Sequence, residues 1–307
     1  MSLDISETMK GISVIIPAFN RAKLLKEAII SITEQDYQGS VEILISDDGS
    51  TDEVSKVASS FGPQVKFIEK PKDSIHKGAS YARNRGILAA TKPYICFLDS
   101  DDFYLPGHLT RMVAAIESGP DFGFALCNSL KMIDIEHDNR FKRWTKLNVE
   151  PRDISNLAIS TTNFANTNGF IFKREVFQKI GLFNEKLKNA EDTDMWIRIS
   201  EKFKGVHANH YGTVIRLHSD ARLTDVPKHV LLENHYEVFS NALKRYYKDG
   251  MEDSYRLQRL YSLCLKYKVS QWPIFNKAFK TISIRNMKRE AYTAEDYSWK
   301  PLESFIE

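Results

Sequence analysis

The first 120 residues alternate between two hydrophobic periodicities, and this alternation restricts the fold more than any other feature of the chain. Four short apolar runs rich in β-branched residues predict buried strands: residues 12–16, 41–45, 65–68 and 94–98. Segments with apolar residues at helical spacing, or with helix-start signals, lie between and after them: residues 21–35, 50–59, 79–90 and 106–117. This order predicts βαβ units, and therefore an α/β fold with a mostly parallel sheet flanked by helices.

The helix starts carry local signals of their own. Ser50 and Glu53 have the spacing of a capping box, which predicts Ser50 as the N-cap of a helix that runs to about residue 59. Pro106 is expected to begin the helix that follows the fourth strand.

The pattern changes after residue 122. Strands are expected at 122–133 and 167–172, with a polar segment between them, residues 140–156, predicted as loop. Helices are then predicted at these positions: residues 174–180, 191–202, and a long stretch from 226 to 289 that Pro273 interrupts. The chain is thus predicted to end in a helical C-terminal extension.

Charge and cysteine content exclude several classes of protein. The 43 Lys and Arg against 40 Asp and Glu leave a formal net charge of +3, too near neutral to indicate a nucleic-acid partner. Cys96, Cys127 and Cys264 are scattered without a CxxC motif or a Cys/His cluster, which disfavours a zinc site or a disulfide framework. Reduced thiols and the polar, acidic residues 1–10 predict a cytoplasmic protein, and no apolar run approaches the roughly 18 residues needed to span a bilayer.

Ligands bind beyond the carboxyl ends of the strands in open parallel sheets, so chemically useful residues are expected there. Polar segments do follow the predicted strands: residues 17–21, 47–50 and 99–102. In the last of these, Asp99, Asp101 and Asp102 offer hard carboxylate oxygens that suit Mg²⁺ or Mn²⁺, although a solvated acidic turn or helix cap would have the same composition.

Other segments allow two interpretations each. The paired aspartates of residues 47–50 could accept a hydrogen bond from a nucleotide base or form an ordinary strand-to-helix turn. Arg83 could bind phosphate or be solvated. The acidic residues 191–194 could supply a general base, with Trp196 as a wall for a sugar ring, or they could simply favour a helix N-terminus. His218 follows an apolar run, where a lone histidine is usually structural.

Signature motifs of other enzyme classes are missing from the chain. There is no GxxxxGK[ST], no GxGxxG after a strand, no HExxH and no GxSxG. Their absence disfavours P-loop NTPases, nicotinamide-dependent dehydrogenases, zinc proteases and α/β-hydrolases.

Five segments taken together resemble the family 2 glycosyltransferases, in the order and at the spacing of that family: residues 14–21 (VIIPAFNR), 47–50 (DDGS), 82–86 (ARNRG), 99–101 (DSD) and 191–192 (ED). The resemblance covers about residues 12 to 218 and implies the GT-A fold. Residues 183–185 read FNE where the family often has FDE. The QxxRW motif and membrane helices of processive synthases are missing, so the resemblance is to non-processive bacterial members.

The resemblance implies a role for each matching residue. Those of the nucleotide-binding half are first-strand contacts to the nucleotide (Pro17, Phe19, Arg21), a uracil-binding aspartate (Asp48), an arginine beside base or phosphate (Arg83), a ribose contact (Asp99) and a metal ligand (Asp101). Those nearer the sugars are Asp102 facing the donor sugar, Asp192 as catalytic base, Glu191 beside it near the acceptor, and His218 near metal and diphosphate. The resemblance also implies residues 1–222 as the catalytic domain, with a nucleotide-binding half at 11–120 and an acceptor half at 121–222, followed by a helical segment at 223–307.

The implied activity is inverting transfer of a sugar from a nucleotide-sugar donor, expected to be a UDP-sugar, to a hydroxyl of a glycan or lipid-linked acceptor, in the synthesis of a cell-surface polysaccharide or glycolipid. The implied cofactor is Mn²⁺ or Mg²⁺. Two alternatives stay open at this stage: a nucleotidyltransferase, whose Gly/Arg/Lys-rich phosphate loop is missing here, and a non-catalytic module that binds sugar nucleotides or glycans.

The C-terminal segment also allows two interpretations. Residues 240–290 hold 12 Lys and Arg against 4 Asp and Glu, interleaved with aromatic residues. Such a segment could rest on anionic lipid headgroups at the inner face of the membrane, which would suit a lipid-linked acceptor. Alternatively, its aromatic residues pack on the core or on a second subunit, the latter making a homo-oligomer.

Overall fold

The computed structural model describes residues 9–135, 138–144, 154–155, 165–217 and 226–269, together with Lys300 and Leu302. The elements of the first half are β1 Ile12–Ala18, α1 Ala22–Thr33, β2 Val41–Asp47, α2 Val54–Ser59, β3 Val65–Ile68, α3 Ala79–Ala89, β4 Tyr94–Phe97, β5 Phe103–Tyr104 and α4 His108–Ile116. Those of the second half are β6 Phe122–Ile135, β7 Asp138–Arg143, a 3₁₀ turn Thr167–Gly169, β8 Phe170–Lys173, α5 Glu175–Ile180, α6 Glu191–Ser200, β9 Lys204–Arg216, α7 Lys228–Lys248 and α8 Ser254–Val269.

The described strands form one mixed sheet in the order β3-β2-β1-β4-β8-β6-β9-β5, with β7 paired to β6. Strands β3, β2, β1 and β4 are parallel, as the βαβ pattern predicts. Strand β8 is antiparallel to both β4 and β6, whereas β6 and β9 are parallel to each other. The parallel half places the ends of β1, β2 and β4 at one edge of the sheet, which is where the site described below lies.

Successive residues of β1 enter two different hydrophobic clusters because side chains alternate between the faces of a strand. Val14 and Ile16 pack into one cluster, together with residues of α1 and α4, and Ile15 packs into the other. Burial on both faces explains why the strand reads as a continuous apolar run instead of an alternating one.

The C-terminal helices share the core of the sheet. Phe239 of α7 and Leu260 of α8 are fully buried and belong to the same cluster as Ile15 and Phe97. The helices predicted beyond residue 226 are thus confirmed as α7 and α8, whereas the predicted continuation past 269, with Pro273, lies outside the described residues. Within the described part of the chain, no helix combines the length and hydropathy that crossing a bilayer requires.

Three local predictions are wrong. The residue that precedes α2 as its N-cap is Glu53, whereas the Ser50 hydroxyl accepts a hydrogen bond from the Asn20 N–H across the edge of the sheet, so there is no capping box. Residues 140–143, predicted as loop, belong to β7 because their backbone groups pair with β6. Helix α4 begins at His108, two residues later than Pro106 predicts, after Gly107 in the left-handed conformation.

We predict that Gly86→Val destabilises the protein because α3 lies against β1 at this glycine. A Cβ at position 86 would come within 3.1 Å of Ile15 Cγ1 and closer still to Cγ2. Overpacking of this kind costs about 1–3 kcal/mol of unfolding free energy, which urea denaturation would measure. Leu88→Ala on the exposed face of the same helix is the matched control and should change stability by less than about 0.5 kcal/mol. Equal stability of both variants would contradict the close approach of α3 to β1.

Candidate active site

A cavity of about 690 Å³ opens at the carboxyl ends of β1, β2 and β4. All but two of the residues predicted for the site line it: Pro17, Phe19, Arg21, Asp48, Arg83, Asp99, Asp101, Asp102, Glu191 and Asp192. Of the other two, Trp196 lies elsewhere and His218 is outside the described residues. The fold therefore brings together residues that are as much as 175 positions apart, from Pro17 to Asp192.

The two adjacent aspartates after β2 have different functions. The Asp47 carboxylate is buried and accepts hydrogen bonds from the backbone N–H groups of Gly49, at 2.9 Å, and Ser50, at 3.0 Å. Asp47 thus closes the strand-to-helix turn that the sequence allowed as one interpretation. Gly49, with a φ of +92°, takes the left-handed conformation that this turn requires.

The turn at Asp47 leaves Asp48 free to face the cavity. The Asp48 carboxylate accepts a hydrogen bond of 2.6 Å from the N–H of Gly78, at the start of α3. It also forms an ion pair with Lys70, at 3.2 Å. These contacts fix the carboxylate in place, and a carboxylate has about four acceptor positions, so it retains capacity for a further donor.

The acidic segment after β4 is ordered by a buried asparagine that the sequence analysis missed. Asn168, in the 3₁₀ turn before β8, accepts a hydrogen bond from the Asp99 N–H at 2.9 Å and donates to the Asp102 carboxylate at 2.6 Å. The other Asp102 oxygen accepts from the Arg216 N–H at 2.9 Å. Nothing in the spacing of the acidic segment indicates a partner 66 residues away, so only the fold reveals it.

These contacts make Asp102 a structural residue. Its side chain is buried, and both oxygens are engaged by protein groups. Burial raises its pKa well above the usual value, and the negative charges of Asp101 and Asp99 raise the pKa further. Asp102 nevertheless lines the cavity, and its contact with the donor sugar stays a prediction.

Asp101 lies at the cavity wall with its side chain 18% exposed, and it forms an ion pair with Arg21. The guanidinium shows that this carboxylate faces a position suited to positive charge. Asp101 and Arg21 thereby connect the segment after β4 with the segment after β1.

Arg83 is the buried cation of the site. Its guanidinium donates to Asp99 at 2.7 Å and lies 3.5 Å from Glu191, so it joins the end of β4 to the start of α6. Burial by itself would lower the pKa of Arg83, but the charges of Asp99 and Glu191 outweigh that effect and raise it. Its guanidinium also lies over the Phe183 ring at 5.7 Å.

The acidic side chains at the start of α6 face in different directions. Asp194 forms an ion pair with Arg198 one turn along the helix, at 2.8 Å, and does not line the cavity. Glu191 and Asp192 do line it, and the Asp192 carboxylate accepts a hydrogen bond from the Thr193 N–H at 2.6 Å. Burial raises the pKa of Glu191 to about 7, and the neighbouring Asp192 charge adds to this effect while Arg83 opposes it.

The prediction that Trp196 forms a wall for a sugar ring is wrong. Its ring is 4% exposed and stacks on Phe170, with ring centroids 4.1 Å apart, in the core beneath α6. Trp196 lies four residues after Asp192, on the same face of α6, but at Trp196 this face packs against the core instead of the cavity. An aromatic residue at the cavity is instead Trp144, which follows β7 and carries Lys131 over its ring at 5.5 Å.

The charges along the cavity wall suit a divalent cation. Six carboxylates and four cationic side chains line it among the described residues: Asp48, Asp99, Asp101, Asp102, Glu191 and Asp192 against Arg21, Arg83, Lys131 and Arg216. Mg²⁺ and Mn²⁺ are usually held by one or two carboxylates together with substrate phosphates, and Asp101 can supply such a ligand. The donor set therefore fits a hard divalent ion.

We predict that Glu191→Gln removes a pH dependence of stability. Because the folded protein raises the Glu191 pKa from 4.5 to about 7, this group stabilises the fold fully below pH 4.5 and loses that contribution as the pH rises through 7. The variant, which cannot ionise, should equal the wild type near pH 4.5 and exceed it above pH 7 by as much as about 3 kcal/mol. Urea unfolding at about pH 5 and about pH 8 would measure the difference.

Glu175→Gln is the matched control: Glu175 begins α5 as Glu191 begins α6, but its side chain is exposed. Its stability should follow the wild type at both pH values. A Glu191→Gln variant whose stability also parallels the wild type would contradict the assigned environment.

The chain is similar to known proteins in sequence and in fold. Residues 13–181 match the sequence profile of the family described as Glycosyl transferase family 2. An uncharacterised glycosyltransferase of Rickettsia prowazekii is 27% identical over 246 residues, which are 78% of this chain and 74% of that protein. The GalNAc(5)-diNAcBac-PP-undecaprenol beta-1,3-glucosyltransferase of Campylobacter jejuni is 30% identical over 65% of this chain and 63% of its own length.

The fold has a counterpart among solved structures. The crystal structure of S. aureus TarS 1–349 in complex with UDP-GlcNAc superposes with a TM-score of 0.69 over 91% of this chain and 78% of that chain. At 18% sequence identity, this likeness concerns the fold alone.

Proposed function

The chain belongs to glycosyl transferase family 2 and is a glycosyltransferase that uses a nucleotide-sugar donor, and we propose that it moves the sugar of a UDP-sugar to an acceptor hydroxyl by a metal-assisted, inverting single displacement. Family membership sets aside the nucleotidyltransferase and the non-catalytic module as alternatives. The proposal assigns residues 1–222 to the catalytic domain and residues 223–307 to its helical extension.

One observation carries the proposal: Asp101 and Asp192, which come from distant parts of the chain, line the same cavity. Single displacement needs a positive charge at the leaving group and a proton acceptor at the incoming hydroxyl. A shared cavity allows one anomeric carbon to lie between the two carboxylates. If Asp101 and Asp192 lay on opposite sides of the molecule, this mechanism would be impossible.

The nucleotide is proposed to lie at the ends of β1 and β2. Phe19 is 54% exposed at the cavity, an unusual position for a large apolar side chain and one suited to stacking on a base. Asp48 would accept a hydrogen bond from the uracil N–H, since carboxylates only accept. Pro17 lines the same edge.

The ribose and diphosphate are proposed to lie along the segment after β4. Asp99 would accept from a ribose hydroxyl, and Arg83 would orient Asp99 through their ion pair. Arg21 would bind phosphate oxygens. When bound by Asp101, the divalent cation supplies positive charge that stabilises the departing diphosphate.

Asp192 is proposed to accept the proton of the attacking hydroxyl. Its carboxylate is oriented by the Thr193 backbone N–H, which leaves acceptor capacity toward the cavity. Attack from the side of Asp192, opposite the leaving diphosphate, inverts the anomeric centre. Glu191, held by Arg83, would lie beside the acceptor.

The acceptor is proposed to be lipid-linked, as the name of the Campylobacter relative describes for that protein. A cell-surface glycan or glycolipid would be the product. Tyr247, Tyr255 and Tyr261 are exposed on α7 and α8, and these helices would bring the enzyme to anionic headgroups at the inner face of the membrane.

Trp144 with Lys131 offers a ring on which an acceptor sugar could stack.

We predict that Asp192→Asn lowers the rate of sugar transfer by at least about 100-fold, the usual minimum for loss of a general base. Asparagine retains an oxygen for the Thr193 N–H, so UDP affinity should stay within about twofold in calorimetry. Release of nucleoside diphosphate from a panel of sugar nucleotides, with acceptor and Mn²⁺, would report the rate.

Asp121→Asn serves as the control because Asp121 is exposed and outside the cavity lining. It should transfer sugar at the wild-type rate. If Asp192→Asn also transfers at that rate, the base lies elsewhere.

We predict that Asp101→Asn removes the metal dependence of nucleotide binding. The amide keeps the size of the side chain but lacks the charge that a hard cation requires, so the enhancement of UDP affinity by Mn²⁺ should fall by at least about 10-fold. Isothermal titration calorimetry of UDP with and without Mn²⁺ would measure this enhancement. Asp73→Asn, at an exposed position outside the cavity, is the control, and an unchanged enhancement in Asp101→Asn would overturn the assignment.

A further inference from the structure

Three metal-ligating side chains meet in the core, away from the cavity. His108 lies at the start of α4, Cys127 on β6 and His210 on β9, and each is less than 10% exposed. One donor atom from each falls within 4.8 Å of the other two. None of the three lines the active-site cavity, and the proposed reaction uses none of them.

Two of the separations between these atoms are close to those in a tetrahedral metal site. His108 Nδ1 is 3.3 Å from His210 Nε2, and Cys127 Sγ is 3.9 Å from His108 Nδ1. In a tetrahedral zinc site with Zn–N near 2.05 Å and Zn–S near 2.3 Å, two nitrogens lie about 3.3 Å apart and a sulfur lies about 3.6 Å from each nitrogen. The nitrogen pair already has this separation, the sulfur is about 0.3 Å farther than this from His108 Nδ1, and all three atoms lie within 4.8 Å of one another, so metal binding would draw the thiol inward.

Gly212 keeps the space between the three donors open. A Cβ at this position would lie 2.7 Å from His210 Nε2, 2.9 Å from Cys127 Sγ, and closer still to His108 Nδ1. All three donor atoms thus point at the same face of one glycine. Any side chain at position 212 would fill the point on which they converge.

The protonation of the two histidines suits metal ligation. The His210 Nδ1 atom is 3.2 Å from the Ala208 carbonyl oxygen, to which it donates, so the lone pair of its Nε2 faces the cluster. Both imidazoles are buried in the core, where the charged form is disfavoured. Neutral imidazole is the form that binds metals.

The thiol needs a cation to ionise. Burial raises the pKa of Cys127 to about 12, while the backbone N–H groups of Gly212 and of Cys127 itself favour the thiolate. A bound metal would stabilise the thiolate directly, and the displaced proton would pass to solvent.

We propose that His108, Cys127 and His210 bind one Zn²⁺ ion through Nδ1, Sγ and Nε2. Two imidazoles and a thiolate are borderline and soft ligands, which favour zinc over the hard Mg²⁺ or Mn²⁺ of the active site. The ion would fasten α4, β6 and β9 to one another. Strand β9 continues to Arg216, whose N–H holds Asp102, so the ion would support the wall of the active site from behind.

A metal-free hydrogen-bonded cluster is the competing explanation. In it, His108 Nδ1 carries the proton and donates to His210 Nε2, so His108 Nδ1 has no lone pair to accept from the thiol. The thiol then loses its nearest acceptor. The zinc site uses all three converging atoms, whereas the hydrogen-bonded cluster uses two.

Cobalt titration of the full chain, after treatment with a chelator and dialysis, tests the proposal. Co²⁺ replaces Zn²⁺ in such sites and gives a thiolate-to-metal charge-transfer band together with the intense visible bands of tetrahedral coordination. Wild-type protein should show both, saturating at about one Co²⁺ per chain, and added Zn²⁺ should abolish them. Zn²⁺ should also raise the melting temperature of the chelator-treated protein by mass action.

Matched variants identify the ligands. Cys127→Ser should lose the charge-transfer band, while Cys264→Ser, at another buried cysteine, should retain it. His210→Gln should reduce cobalt affinity by at least about 10-fold, while His207→Gln, at a buried histidine of the same strand, should not. Asp101→Asn should keep the band, which separates this site from the active-site metal.

Two results of these experiments would overturn the zinc proposal. A wild-type protein without a charge-transfer band at saturating Co²⁺ overturns the proposal, whether or not any variant folds. A band that persists in a Cys127→Ser variant with a native circular dichroism spectrum overturns it too. If the wild-type protein binds cobalt but transfers no sugar from any donor tested, the proposed function is contradicted and the zinc site stands.

Discussion

The architecture of the site depends on one buried guanidinium. Arg83 extends from α3 between the carboxylates of Asp99 and Glu191, and so connects the end of β4 with the start of α6. A buried charge that loses its partner costs roughly 3–5 kcal/mol, so Arg83 depends above all on the Asp99 carboxylate, to which it donates at 2.7 Å. Arg83 orients Asp99 through this contact, and its positive charge opposes the rise in the Glu191 pKa that burial and the Asp192 charge cause.

The residues that follow Arg83 in its motif each make a different structural contact. Asn84 donates to the Phe183 carbonyl at 3.0 Å and accepts from the Phe183 N–H at 2.8 Å, so it anchors the loop before α6. Arg85 donates to the Glu69 carbonyl at 2.9 Å and supports the end of β2, while Gly86 lets α3 approach β1. One helix turn therefore contacts the loop before α6, the end of β2 and strand β1. The FNE departure in the loop is neutral in this setting, since Asn184 accepts a hydrogen bond from the Lys186 N–H, as an aspartate would.

The two halves of the chain differ in how far their sequence predicts their structure. In the parallel half, each strand is a short apolar run with a helix after it, and its bounds were predicted to within two residues. In the second half, β7 was predicted as loop because its residues are polar and its pairing with β6 depends on backbone hydrogen bonds. The polar run at residues 140–143 carries no periodic signal, since a strand that is not buried on both faces can be rich in charged residues.

Sequence by itself determined the βαβ order, the polar residues at the strand ends and, through five segments in order, the family. It could do so because buried strands and ligand-binding turns each impose a local pattern of residue types. Tertiary structure decided which of two adjacent aspartates faces the cavity, that Trp196 belongs to the core and Trp144 to the cavity, and that Asn168 orders the acidic segment. It also decided that His108, Cys127 and His210, spread over 102 residues, converge on one glycine, although their spacing shows no metal-binding motif. These are matters of direction and of long-range proximity, which depend on how the elements pack and not on the order of residues within them.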